Sequence, residues 1–191
     1  MATDRTDTPA DDLATRVSES LLRQAEIVCR DVDADALLVY VDALDDLPAS
    51  WPESLRDKVI TITRTPDEDR DQEERHLRHL RVPNVALSRV GQVQMALLLA
   101  MSRGLVKPAD VVVFLAGISG SGSLDTMLVT SIGHEHEMVR VPDDGAGAAL
   151  PVDALVLERV VSLAVTLGSE GREGRPVGAL FVLGDAERVL S

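Results

Sequence analysis

The sequence predicts an α/β fold of three layers, a mostly parallel sheet covered on both faces, with one antiparallel strand at an edge. Three observations carry that expectation. Short apolar runs rich in Val, Leu and Ile recur along the chain and alternate with segments of helical spacing, the pattern of parallel strands buried on both sides. Apolar residues make up 45% of the 191 residues but aromatics only 2%, so the core is aliphatic, and the length suits one good-sized domain or one domain with part of another. The last strand of the series follows its predecessor through a Gly/Ser loop with no helix between, which forces antiparallel pairing.

The elements follow in order. MATDRTDTPADD (1–12) is polar, acidic and without period, so residues 1–17 are assigned to a disordered acidic tail. Apolar positions at helical spacing run from Leu13 through Val17, Leu21, Leu22, Ala25 and Val28. ALLVYV (36–41) and KVITIT (58–63) are the first two strands. Thr65-Pro66-Asp67-Glu68 has the form of a helix start: a Thr cap, Pro in the first turn and acids against the helix dipole. The predicted helix extends to about Leu80 and is highly charged, with Leu77 and Leu80 among its few anchors. NVALS (84–88) is the third predicted strand, and Gly91–Arg103 an apolar helix that Gly104 stops. DVVVFLA (110–116) is the fourth strand and LDTMLVTSI (124–132) the fifth. VPDDGAGAALP (141–151) is a linker by composition. Beyond it, Asp153–Ser169 is an apolar helix, GREGRP a turn and VGALFVL (177–183) a strand.

Charge excludes some functions. The chain carries a net charge of −13, with 17 Arg and only two Lys, Lys58 and Lys107. Phosphate-backbone binding needs a basic footprint, so nucleic acid is not an expected partner, and neither is an anionic membrane surface. The apolar runs Val93–Met101 and Ala154–Leu167 are too short or too interrupted to span a bilayer, and the first residues hold no apolar signal segment. A single cysteine, Cys29, forbids an internal disulfide and fits a reducing compartment; within a helical pattern it reads as a small core residue. These features predict a cytoplasmic protein.

Few residues offer chemistry. GISGSGS (117–123) is the strongest candidate: Gly117, Ser119, Gly120, Ser121, Gly122 and Ser123 could cradle a phosphate with backbone N–H groups. The loop is neither a Walker loop nor a dinucleotide fingerprint, and a strand rather than a helix follows it, so a plain turn stands beside the ligand loop as a reading. His134 and His136 in HEHE share a face if the strand continues, but two ligands do not make a metal site, and a solvated strand end is the simpler reading. His76 and His79 in RHLRHLR read as a charged helix face. No catalytic residue and no metal site is assigned.

Two stretches resemble known families. RGLVKPADVVVFLAGISGSGSLDTMLVTSIG (103–133), with the preceding strand order, resembles the C-terminal domain of pyruvate kinase over roughly 18–140. In that family a Ser/Thr-Gly loop after the first strand binds a sugar-phosphate effector. The corresponding DALDDLP (42–48) holds Asp42, Asp45 and Asp46, which repel phosphate, so only Gly117–Ser123 keeps the matching character. The catalytic barrel of pyruvate kinase is absent.

The helix followed by EGREGRPVGALFVLGD (170–185) resembles the entry to a diadenylate cyclase (DisA_N) domain as found in archaeal enzymes, which also carry a pyruvate-kinase-like domain in front. The resemblance implies that 152–191 is a truncated start of a cyclase domain. It implies that the complete family member uses ATP and Mn²⁺ or Mg²⁺ to convert two ATP into cyclic di-AMP and two diphosphates. The family's Asp-Gly-Ala and Arg-His-Arg motifs are not in place. Asp144-Gly145-Ala146 lies in the linker, and Arg75-His76 and Arg78-His79 are followed by Leu. The chain alone is therefore expected to be inactive and to hold no cofactor. It serves regulation or assembly, as a homo-oligomer or with a cyclase-domain partner. The alternatives are a stand-alone module for a small phosphorylated or nucleotide effector and an oligomerisation domain. Acid excess with scarce Lys resembles proteins of salt-loving archaea; an ordinary acidic cytosolic protein is the alternative.

Overall fold

The computed structural model of the chain describes residues 9–44, 51–64, 78–85, 87–132, 153–170 and 179–183. Helix α1 (Pro9–Asp31) leads into strand β1 (Ala36–Tyr40) and a 3₁₀ turn (Val41–Ala43). Strands β2 (Val59–Thr63) and β3 (Arg78–Arg81), helix α2 (Arg89–Ser102), strands β4 (Val111–Gly117) and β5 (Leu124–Ser131) and helix α3 (Ala154–Glu170) follow.

The five strands form one sheet in the order β3-β2-β1-β4-β5. The pairs β1–β2, β1–β4 and β2–β3 are parallel, and β4–β5 is antiparallel. The predicted fold class holds, and the physical reason is visible in the alternation. Leu38, Tyr40, Ile60, Ile62, Leu80, Val112 and Phe114 face one side and pack against Val93, Ala96, Leu99 and Ala100 of α2 and Leu157 and Val161 of α3. Leu37, Val39, Val59, Val113 and Leu115 face the other and pack against Ala25 and Cys29 of α1. Both faces of the central strands are dry, as a parallel sheet requires. Cys29 is a buried free thiol, and its pKa is raised by burial, offset in part by Lys58.

Four expectations need correction. The tail assigned to 1–17 is already helix from Pro9 onward, with Asp12 in the first turns pairing with Arg16 one turn on. The third strand is not 84–88 but Arg78–Arg81, the stretch read as the end of a charged helix. Among the described residues it is an edge strand, and it needs only Leu80 inside, at 0% exposure. It is fixed at both ends: Arg78 Nη1 and Nη2 donate to the carbonyls of Asp57 (3.0 Å) and Leu105 (2.6 Å), and Val82 N donates to Thr63 O (2.9 Å). His79 therefore lies on a strand, not on a helix face. Finally, residues 179–183 form no strand; Leu180 is 90% exposed, while Leu183 packs partly buried against the core. The Thr65-Pro66 helix start, His76, His134, His136, the linker 141–151 and residues 177–178 lie outside the described residues.

The ends of α2 match their sequence signals. Ser88 Oγ accepts from Gly91 N (3.2 Å) as N-cap. At the other end Gly104 adopts φ +65°, Gly104 N donates to Met101 O and Leu105 N to Ala100 O, a Schellman stop that only glycine enters without strain. Asp153 caps α3 by accepting from Leu155 N (2.8 Å) and Val156 N (3.3 Å).

Candidate functional site

The strand order reverses direction between β1 and β4. In open α/β sheets the crevice outside the carboxyl ends of the strands, at such a reversal, is where ligands bind. Two loops meet there. The 3₁₀ turn after β1 holds Asp42, and Gly117–Ser123 starts on the last residue of β4. Gly120 N donates to Asp42 O at 2.9 Å, tying one loop to the other.

The six residues singled out in the sequence, Gly117 and Ser119 to Ser123, thus stand at the reversal, but their groups are largely committed within the fold. Ser121 N donates to Ile118 O (3.0 Å) and Ser123 N to Ser121 Oγ (3.3 Å). Ser121 Oγ donates to Ser123 O (3.1 Å), and Ser123 Oγ reaches Ala14 O (3.3 Å) and Leu124 O (2.9 Å). Ser18 Oγ accepts from Leu124 N (2.9 Å), so the loop is laced to α1. Gly117 is glycine for want of space: a Cβ there would stand 2.2 Å from Ser123 O and 2.7 Å from the Ala43 Cβ. Ser119, Gly120 and Ser121 form its exposed side.

A polar network crosses the same edge. The Asp42 side chain is 0% exposed, and neither carboxylate oxygen accepts a hydrogen bond among the described residues. Its charge is balanced by Arg64, whose Nε is 3.2 Å from Oδ2 but misaligned for a hydrogen bond, and which is itself 8% exposed. Arg64 follows the last residue of β2, so strand register delivers it to this edge. Its guanidinium lies 4.8 Å from the centroid of the Tyr40 ring, a cation–π contact. Burial pushes the Tyr40 phenol well above the ordinary tyrosine range; Arg64 opposes that rise and Asp42 adds to it. Tyr40 Oη donates to the Gln92 carbonyl (3.1 Å). With its amide turned so that oxygen faces the two guanidiniums, the assignment that satisfies both of its ends, Gln92 accepts from Arg64 Nη2 and Arg89 Nη1, each at 3.2 Å. Arg89 closes the network on Asp125 at the start of β5, through Nε–Oδ1 (2.8 Å) and Nη2–Oδ2. The hydrogen bond from Arg89 holds the Asp125 carboxyl below the usual aspartate range, against the opposing effect of burial.

Beside Arg64 a cleft of about 410 Å³ opens between the segment after β3, helix α2 and helix α3. Arg64, Arg81 and Arg103 line it with Glu158, Asn84 and Ser162, over a wall of Val82, Pro83 and Leu99. Arg103 Nε donates to Glu158 Oε1 at 2.5 Å, which links α2 to α3. Arg81 makes no hydrogen bond or ion pair among the described residues. Sequence reasoning passed over these arginines. The available signal was position: Arg64 directly follows one strand and Arg81 ends another, both at carboxyl ends. Among the described residues no three His, Cys, Asp or Glu side chains gather where a metal would sit, and no helix is long and apolar enough to cross a membrane.

Comparison with known proteins adds three findings. A family model described as "Probable sensor domain DacZ_P" matches residues 18–139. A diadenylate cyclase of Haloferax volcanii is 32% identical over 92 residues, 48% of this chain, and the match spans 33% of that relative's length. A crystal structure of a pyruvate kinase from Cryptosporidium parvum is similar at a TM-score of 0.39 and 15% identity, over 66% of this chain and 23% of that one.

Proposed function

Because this chain belongs to the DacZ_P family of sensor domains, we propose that its α/β unit is the sensing portion of a diadenylate cyclase-type protein. The observation that carries the reading is the family match over residues 18–139, a span that takes in every strand of the sheet and both loops at its reversal point. In this reading the conversion of two ATP to cyclic di-AMP and two diphosphates, with Mn²⁺ or Mg²⁺, belongs to the cyclase portion, and no residue of this chain is assigned to that chemistry. The unit binds a small phosphorylated or nucleotide effector at the carboxyl edge of its sheet. Occupancy there alters how a cyclase portion works or pairs, in a homo-oligomer or with a cyclase partner. Among the described residues, the exposed side of Gly117–Ser123 and the arginine cleft give an effector access.

A chimaera tests the reading. This chain's residues replace the matching segment of the Haloferax volcanii relative, and cyclic di-AMP formation is measured with and without added metabolites. The sensor reading expects the metabolite response to change with the exchanged unit while the unstimulated rate stays within a few-fold. A rate that ignores both the exchange and every metabolite contradicts it.

A further inference from the structure

We infer that the cleft between the segment after β3, α2 and α3 binds a small phosphorylated molecule, held by Arg64, Arg81 and Arg103, and that binding draws Arg103 away from Glu158 of α3. The inference rests on the sensor reading for its biological use, and on this chain alone for the binding.

The local charge runs against the whole. The chain carries −13, yet among the described residues three arginines and one acid, Glu158, line the cleft. Two of the three are already matched, Arg64 by Asp42 beneath it and Arg103 by Glu158. Arg81 makes no ion pair among the described residues, so their part of the lining keeps a positive surplus. Guanidinium groups suit the purpose, because their planar forks meet phosphate oxygens two at a time. Val82, Pro83 and Leu99 make the adjoining wall apolar, which lowers the local dielectric and strengthens each charge contact. Asn84 and Ser162 add neutral donors at the rim.

Size separates an organic phosphate from a bare ion. A cleft of about 410 Å³ falls within the usual range of small-molecule pockets, about 300–1,000 Å³. The apolar wall then covers the body of the ligand while the arginines take its head. Arg64 forms the fixed floor, held by Asp42 and Gln92 and lying over the Tyr40 ring. Arg103 is the group that can change partners. When phosphate takes it, α3 loses a charge contact and keeps its apolar ones at Leu157 and Val161. That gives α3 two attachments to the sensing unit, one of them dependent on ligand.

Calorimetric titration of the 191-residue chain tests this with glucose 6-phosphate, AMP, inorganic phosphate and citrate. A phosphomonoester should bind more tightly than inorganic phosphate or citrate. Arg81→Gln, an exposed change, should weaken it about tenfold or more, the usual scale for losing a charge-assisted contact. Glu158→Gln should tighten it, since Arg103 then no longer has to leave a charged partner on α3. Hydrogen exchange at the α3 amides should quicken with ligand. Absence of binding tighter than about 1 mM by either phosphomonoester overturns the site, as does affinity unmoved by Arg81→Gln. Weaker binding in Glu158→Gln overturns the exchange of partners. Binding that behaves as expected alongside an unresponsive chimaera leaves the cleft standing and removes the sensor reading. A responsive chimaera with no binding in the cleft does the reverse.

Discussion

Replacing Arg64 by Met should cost about 3–5 kcal/mol, because it strands a carboxylate that is completely buried. The methionine keeps comparable bulk over Tyr40, so the loss is chiefly electrostatic. No screening discount applies, since the paired side chains are 8% and 0% exposed. For a chain of this size each kcal/mol shifts the melting temperature by about 2–4 °C, so the fall should be about 6–20 °C. Asp42→Asn should cost less, about 1–3 kcal/mol, because the guanidinium left behind still has Gln92 and the Tyr40 ring. The double variant should then lose much less than the sum of the two, since replacing a buried ion pair as a whole is often near neutral. The assay is urea unfolding at fixed salt, followed by circular dichroism and by the fluorescence of Trp51, the sole tryptophan, which packs against the α1-side core. Losses that simply add, or an Arg64→Met variant as stable as wild type, would refute the reasoning that the pair compensates a buried charge.

Three further outcomes follow from the same geometry. Gly117→Ala should destabilise by about 1–3 kcal/mol or more, because its methyl would meet backbone at Ser123 and the Ala43 side chain, and a denaturant midpoint close to wild type contradicts that packing. Ala109 sits at φ 73°, so Ala109→Gly relieves about 1–2 kcal/mol of strain and returns about half of it as chain entropy; the melting temperature should hold or rise slightly, and a clear fall counts against the turn geometry. A net charge of −13 repels itself across the fold until the Debye length drops from about 30 Å at 0.01 M salt to about 3 Å at 1 M. The melting temperature should therefore climb over that interval, and a flat salt profile contradicts it.

Elements buried on both faces were legible in the sequence. β1 and β4 are apolar runs with no polar alternation, β2 is a run of β-branched residues, and β5 was legible as antiparallel from the short loop before it. The stop at Gly104 was legible because one left-handed position has few tenants. β3 was not, because an edge strand here buries one side chain, Leu80, and RHLR carries no alternation to read. NVALS was more apolar and looked the better strand, yet Val85 N turns back onto Pro83 O (3.0 Å). The site was legible in part. Gly117–Ser123 was found by composition, whereas the hydrogen bonds that tie it to Asp42 and α1 depend on strand order. Arg64, Arg81 and Arg103 are spaced far apart in the chain and converge only when β2, β3 and α2 are assembled. Asp42 was legible as an acid that repels phosphate; its burial under Arg64 was not.

The most direct measurement is the rate of cyclic di-AMP formation by the chimaera, titrated with whichever phosphomonoester binds the isolated chain. The wild-type unit is compared with one carrying Arg81→Gln. The account predicts a rate that changes across the ligand's binding range with the wild-type unit, and the same curve displaced about tenfold or more to higher concentration with Arg81→Gln. Superimposed curves, or a rate that never moves with ligand, contradict it.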